Sequence, residues 1–266
     1  MHRIARIAIA ALASVGMLAS VAACGSGQST SEKNGTIEVA ASVNQWGTVA
    51  KALGGDNVNV TSIINSTNVD AHDYEPTTSD IAKLQKAQVI IVNGAGYDAW
   101  AVKATQTANA TIVNAAEVGG VNDGENPHVW FSADVRKAVA QAITEAYEQA
   151  DAAKKNDFDK MNDRWTAEEN NVESKIAEVK QKTDGLAYAA TESVASYLAE
   201  DMGLADATPS GYARATANES EPTPTDIKQF TDALKAGEIK LLVVNTQEES
   251  ELTDKITDAA KSVEVP

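Results

Sequence analysis

Residues 151–182 read DAAKKNDFDKMNDRWTAEENNVESKIAEVKQK, a stretch with neither glycine nor proline and dense in charge. Apolar residues recur in it at Phe158, Met161, Trp165, Val172, Ile176 and Val179, close to helical spacing. The spacing predicts one long helix whose charge run is a solvated face. A helix of this length in a chain of 266 residues does structural work, bracing two lobes.

The flanking sequence divides accordingly. Upstream, strand-like runs at 36–43, 57–65, 88–93 and 110–115 alternate with helical patterns at 45–53, 79–87 and 97–107. Gly54-Gly55 ends the first of these helices, and Thr78 or Ser79 serves as N-cap of the second. Ser132 caps a further helix through Val135, Val139 and Ile143 towards Tyr147. Downstream, strands are expected at 186–191 and 239–245, and helices at 194–202, 226–234 and 251–261, with Thr225 as a cap. Strands alternating with helices imply a parallel sheet covered on both faces. The fold class is therefore α/β: two lobes, each a mostly parallel sheet flanked by helices, joined by the long helix.

The N-terminus speaks to compartment. Arg3 and Arg6 precede Ile7–Ala23, an uncharged and mostly apolar run short of the roughly 20 residues a membrane-spanning helix needs. The run closes on Val21-Ala22-Ala23-Cys24, followed by Gly25-Ser26-Gly27. Small residues before a cysteine and a polar tether after it resemble a bacterial lipoprotein signal, which implies cleavage before Cys24 and a lipid on that residue. Cys24 is the only cysteine, so disulfides within the chain and a catalytic thiol are excluded. The expected organisation is a signal peptide at 1–23, a flexible tether at 24–35, an N-terminal lobe at 36–150, the linking helix at 151–184 and a C-terminal lobe at 185–266. The protein is expected to be extracytoplasmic, lipid-anchored to the cell membrane and monomeric. The net charge is −16, and loss of Arg3 and Arg6 with the leader makes the mature chain more acidic still. Such a surface argues against nucleic acid and disfavours anionic lipid as a docking surface.

Histidine is scarce: of three, His2 lies in the leader. The others sit in loops after expected strands, His72 in Asp70-Ala71-His72-Asp73-Tyr74-Glu75-Pro76 and His128 in Glu125-Asn126-Pro127-His128-Val129-Trp130. Imidazole is the commonest metal ligand, and a carboxylate close by can orient it. Glu192 shares their address, since all three follow the carboxyl ends of strands, where open parallel sheets bind ligands. Asp73 and Glu75 read equally as further partners or as solvated loop acids. Trp46 and Trp100 read as core, as does Trp130, which also stands near enough to His128 to wall a site.

These residues resemble those of the metal-binding lipoproteins of ABC importers for zinc and manganese. The likeness runs through His72-Asp73-Tyr74-Glu75-Pro76, Asn93-Gly94, Asn126-Pro127-His128-Val129-Trp130, Ala190-Thr191-Glu192 before Tyr197, and Asn245-Thr246-Gln247. It implies that His72 and His128 bind the metal through imidazole nitrogen, that Glu192 is the third ligand, and that a membrane ABC permease is the partner. Two features depart from the pattern. No acidic or histidine-rich loop follows the first histidine motif. The chain also stops at Ser262-Val263-Glu264-Val265-Pro266, read as a strand beginning, before the acidic fourth ligand and closing helix the family usually supplies. The C-terminal lobe is thus read as incomplete, a fragment in preference to a shortened protein with an exposed strand edge. Zn2+ or Mn2+ suits two imidazoles and a carboxylate; affinity order favours zinc, while manganese favours more oxygens.

The same residues fit other functions less well. A zinc hydrolase could use two histidines and a glutamate, but there is no His-Glu-x-x-His and no spare histidine for a base. A surface adhesin would add a role without changing the site. A siderophore or corrinoid carrier shares the long helix but holds its ligand with aromatic and arginine side chains. The expectation is a carrier that performs no chemistry on its cargo.

Overall fold

Among the described residues, seven short strands build two parallel sheets whose faces are covered by helices. The computed structural model describes residues 35–266 apart from 67, 68, 70, 73 and 249. The signal peptide, Cys24 and all of the tether but Gly35 lie outside the described residues, as does Asp73.

The first lobe runs β1 (Ile37–Val43), α1 (Asn44–Gly54), β2 (Val58–Ile64), α2 (Thr78–Lys86), β3 (Val89–Val92), α3 (Ala99–Thr105), β4 (Thr111–Asn114), α4 (Ala115–Val118) and α5 (Ala133–Ala150). Its strands pair in the order β2-β1-β3-β4, all parallel, with Val39 opposite Val60 and Val89 in neighbouring strands. Successive side chains point to opposite faces of a strand, and here that alternation separates two cores. Val39, Ala41, Val89 and Ile91 pack with Trp46 and Leu53 of α1 and Val139, Ile143 and Tyr147 of α5. Ala40, Ile90 and Val92 pack on the other side with Leu84 of α2 and Ala101 of α3. Burial on both faces explains why these strands are apolar runs and not alternating ones.

A 3-10 turn at Ala152–Lys154 leads into α6 (Lys155–Thr183), 29 residues long. At 1.5 Å per residue it spans about 44 Å. Only its beginning is packed as an apolar stripe would be. Phe158 is fully buried, its ring centroid 5.4 Å from that of Tyr147, whereas Val172 and Val179 are exposed. The stripe expected through those valines therefore does not form. Polar contacts hold the middle of the helix instead. Arg136 of α5 donates to Glu169 through Nε at 3.0 Å and to the carbonyl of Trp130 through Nη1 at 3.1 Å. A helix polar on nearly all sides suits a bridge between two bodies.

The second lobe is smaller: β5 (Ala187–Ala190), α7 (Ser196–Asp201), β6 (Ala205–Asp206), α8 (Ser210–Ala217), α9 (Pro224–Lys235), β7 (Leu241–Val243) and α10 (Glu251–Ser262). Its sheet has the order β6-β5-β7, again parallel. Ala189 and Leu242 face Tyr212, Phe230, Leu234 and Ile256, while Tyr188, Ala190 and Leu241 face Ala199 and Leu204. No strand is assigned at 262–266. Residues 263 and 264 form a turn, and the Pro266 carbonyl accepts from the Leu242 amide at 2.8 Å, beside β7.

Two helix starts differ from the sequence reading for one reason. Thr77, not Thr78 or Ser79, caps α2, and Thr223, not Thr225, caps α9. Each has an aspartate three residues on, Asp80 or Asp226, that returns a bond to the cap amide and completes a reciprocal capping box. Pro224 fits directly after the cap because its missing N–H has no partner to lose there. α3 is shorter than expected because Tyr97 and Asp98 belong to the turn before it. β6, α4 and α8 carry too little periodic apolar sequence to be anticipated.

Candidate metal centre

The site is built on the end of β3. There Asn93 is fully buried, accepts from the Trp46 indole N–H at 2.9 Å, and donates to the carbonyl of Pro127 at 2.8 Å. Trp46 is thus core, and it also anchors the loop that carries His128. The turn beyond Asn93 is closed by Asp98, whose carboxylate accepts from the amides of Asn93 at 2.7 Å and Gly94 at 2.9 Å. Burial pushes the Asp98 carboxyl above its ordinary value against these bonds. Gly94 has φ +77°, and a Cβ there would lie 2.1 Å from Asn114 Oδ1, so glycine is required.

His128 is 4% exposed. Asn126 Oδ1 accepts from the His128 backbone amide at 3.1 Å and lies 2.7 Å from ring Nδ1. The opposite end of the Asn126 amide donates to the carbonyl of Ser193 at 2.8 Å, which fixes which end is oxygen. An oxygen that only accepts places the proton on Nδ1, and in the neutral ring Nε2 then carries a lone pair. That nitrogen faces Glu192 Oε1 at 3.1 Å. A lone pair and a carboxylate oxygen at this distance repel unless a proton or a cation sits between them.

Glu192 lies one residue beyond Thr191, which follows β5, in a corner made by two strand ends. Thr191 Oγ1 accepts from the Asn245 amide at 3.0 Å, and the Asn245 side chain donates to Glu192 Oε2. Burial raises the Glu192 carboxyl, but the bonds from His128 and Asn245 outweigh it and hold the group below its ordinary value. It is therefore ionised and available as a donor.

His72 comes from the loop after β2. Its ring stands edge-on to Tyr97 at 4.6 Å and 5.9 Å from the ring of His128. The loop is fixed on its far side by Tyr74, whose hydroxyl donates to Asp80 at 2.8 Å, and touches the second lobe where Gln247 Nε2 donates to the Val69 carbonyl at 3.4 Å. Nδ1 of His72 lies 3.5 Å from a carboxylate oxygen of Glu219, which projects from the turn after α8. One ligand atom from each of His72, His128 and Glu192 falls within 4.8 Å of the others. All three stand at the carboxyl ends of parallel strands, two in one lobe and one in the other. Two neutral imidazoles and one carboxylate are the donor set of a divalent transition-metal ion. Glu75 is exposed and is not part of this group. Trp130 is half-buried and does wall the site, its ring 5.3 Å from that of His128.

Sequence reasoning gave Asn126, Asn245, Tyr97 and Glu219 no role. The first two lie in matched motifs, so the signal was present. Glu219 depends on α8, which the sequence did not reveal.

Two parallel α/β lobes on one long helix, with donors from both converging at the strand ends, define the class of helix-bridged solute-binding proteins. The chain belongs to the ZnuA family, the periplasmic component A of the zinc-uptake complex, whose model matches residues 39–266. It is 24% identical over 245 residues to the manganese ABC transporter substrate-binding lipoprotein PsaA of Streptococcus anginosus, covering 84% of this chain and 77% of the relative. It is 26% identical over 236 residues to the iron ABC transporter substrate-binding lipoprotein MtsA of Streptococcus pyogenes serotype M1, covering 80% and 73%. Its fold superposes on the periplasmic zinc-binding protein TroA of Treponema pallidum with a TM-score of 0.72 at 15% identity, covering 86% of this chain and 84% of that one. The family is one of substrate-binding components of importers and not a family of enzymes. Among the described residues no helix is long and apolar enough to cross a membrane.

Proposed function

We propose that this chain captures a single divalent metal ion outside the cytoplasm, with His72, His128 and Glu192 as its ligands, and delivers it to an ABC permease. The observation that carries the reading is the convergence of two imidazoles and an ionised carboxylate within 4.8 Å in the cleft between the lobes. A cation there is held by Nε2 of His128 and Oε1 of Glu192, which face one another at 3.1 Å. Capture is then an exchange of solvent for protein donors, with the Asn126 and Asn245 amides holding two of the three donors in place beforehand. The ion is cargo, and no bond within it is made or broken.

Zn2+ and Mn2+ are the leading candidates, since relatives carry manganese or iron by name and a structural neighbour carries zinc. A lipid on Cys24 would hold the monomeric carrier at the membrane where its permease sits. Metal content after dialysis and competitive titration of the Cys24→Ser protein, beside His72→Ala and Glu192→Ala, test the reading. One equivalent retained by the parent and lost in both variants is expected. Equal retention in all three would end it. Hydrolysis of model esters or peptides that depended on the same residues would move the site to an enzyme.

A further inference from the structure

The hydrogen bonding at Glu192 bears on which ion the site takes. A carboxylate can give a metal one oxygen or two, and the choice changes the number of donors. Here the two oxygens are differentiated. Oε1 faces Nε2 of His128 at 3.1 Å, whereas Oε2 accepts from the Asn245 side-chain amide. That amide cannot be turned round, because its Oδ1 accepts from the Gln247 amide at 3.0 Å. Its backbone is fixed as well, through the bond from Asn245 N to Thr191 Oγ1 and that from Thr191 N to the Val243 carbonyl, both 3.0 Å. Asn245 is therefore a rigid donor aimed at one carboxylate oxygen, delivered from a different strand than Glu192 itself.

We infer that Asn245 is a selectivity residue: by engaging Oε2 it makes Glu192 a one-oxygen ligand, one donor fewer than a two-oxygen carboxylate gives. Zinc is satisfied by four donors in a tetrahedron, a shell in which a one-oxygen carboxylate fits. Manganese favours more oxygens and a higher coordination number, so a carboxylate limited to one oxygen disfavours it. Release of Oε2 adds an oxygen to the shell and narrows zinc's advantage. The inference rests on Glu192 being a ligand, and its test separates the two.

The experiment compares the parent with Asn245→Ala and Glu192→Ala, by competitive titration with zinc and manganese and by the visible spectrum of the cobalt-loaded proteins. In Asn245→Ala the ratio of manganese to zinc affinity is expected to rise by about tenfold, the scale of effects from residues that orient a ligand. The intense visible bands of four-coordinate cobalt should weaken in the same variant as coordination rises. Should Asn245→Ala fail to fold, Asn245→Ser, whose hydroxyl can still accept from Gln247 but is too short to reach Glu192, carries the same test. An unchanged ratio and cobalt spectrum, with Glu192→Ala weakened, overturns the selectivity role and leaves the site intact. Equal loss of both metals with an unchanged spectrum also overturns it, because that is what loose support alone would do. A parent that binds neither metal, or a Glu192→Ala variant that binds like the parent, overturns the site itself.

Discussion

The loops that carry His72 and His128 bring the same side chain to the same place by different means. His128 stands on a buried frame: Trp46 holds Asn93, Asn93 holds Pro127, and Asn126 holds the ring. His72 is 19% exposed at its side chain, meets Tyr97 edge-on, and has a largely exposed Glu219 beside it. The first histidine is built into the lobe, and the second is brought up to it. One donor fixed in advance reduces the ordering needed on binding, and one left more accessible gives the ion a way in.

The sharpest test of that contrast replaces each histidine by alanine. Both His128→Ala and His72→Ala should weaken metal binding by more than about 100-fold, beyond the effect of losing an orienting neighbour. Only His128→Ala should also destabilise the metal-free protein, because it removes a buried ring and takes from Glu192 Oε1 the partner it faces, at about 1–3 kcal/mol. Near-equal melting temperatures for the two metal-free variants would erase the contrast. Next in size, Asn126→Ala should lower affinity by about 10–100-fold by freeing the ring of His128 to turn. Calorimetric titration reads it, and an effect below threefold would mean that the ring is held by packing alone. Glu219→Gln should change affinity by less than about threefold, since an exposed ion pair contributes about 0–1 kcal/mol. A loss as large as that of Asn126→Ala would place Glu219 on a par with the buried frame.

How much of this was legible in sequence follows the same division. The central strands of the first lobe, β1 and β3, were found because they are buried on both faces and therefore largely apolar. His72 and His128 stood out because histidine is rare here and each follows an expected strand. Glu192 could be placed by the strand before it. The partners Asn126 and Asn245 were not assigned, because their role depends on which atom faces which, a property of the folded chain. The apolar spacing of α6 misled at Val172 and Val179, where a surface helix keeps valines in water and relies on Arg136 and Glu169 instead.

A smaller effect checks the support beneath His72. The bond from Thr77, with those from Lys83 and Tyr74, outweighs burial and holds the Asp80 carboxyl well below its ordinary value. A lowered folded value means the stabilisation is present above the unfolded value, about 3.9, and is lost as pH falls below it. Asp80→Asn, which removes the charge and one of the two accepting oxygens, should lower the melting temperature by about 2–4 °C at neutral pH, for a loss near 1 kcal/mol. The difference from the parent should shrink below pH 4. A gap that stays constant down to pH 2 would show that Asp80 acts through shape and not through charge.

The long helix also governs time. From Lys155 to Thr183 it has neither glycine nor proline, the usual places where a helix bends sharply. Two lobes mounted on such a bar have no hinge in it by which to swing apart. The residence time of a captured ion is then a property of the loops at the cleft, chiefly the one that carries His72. A permease that displaced that loop alone would shorten the dwell of the cargo without prising the lobes open.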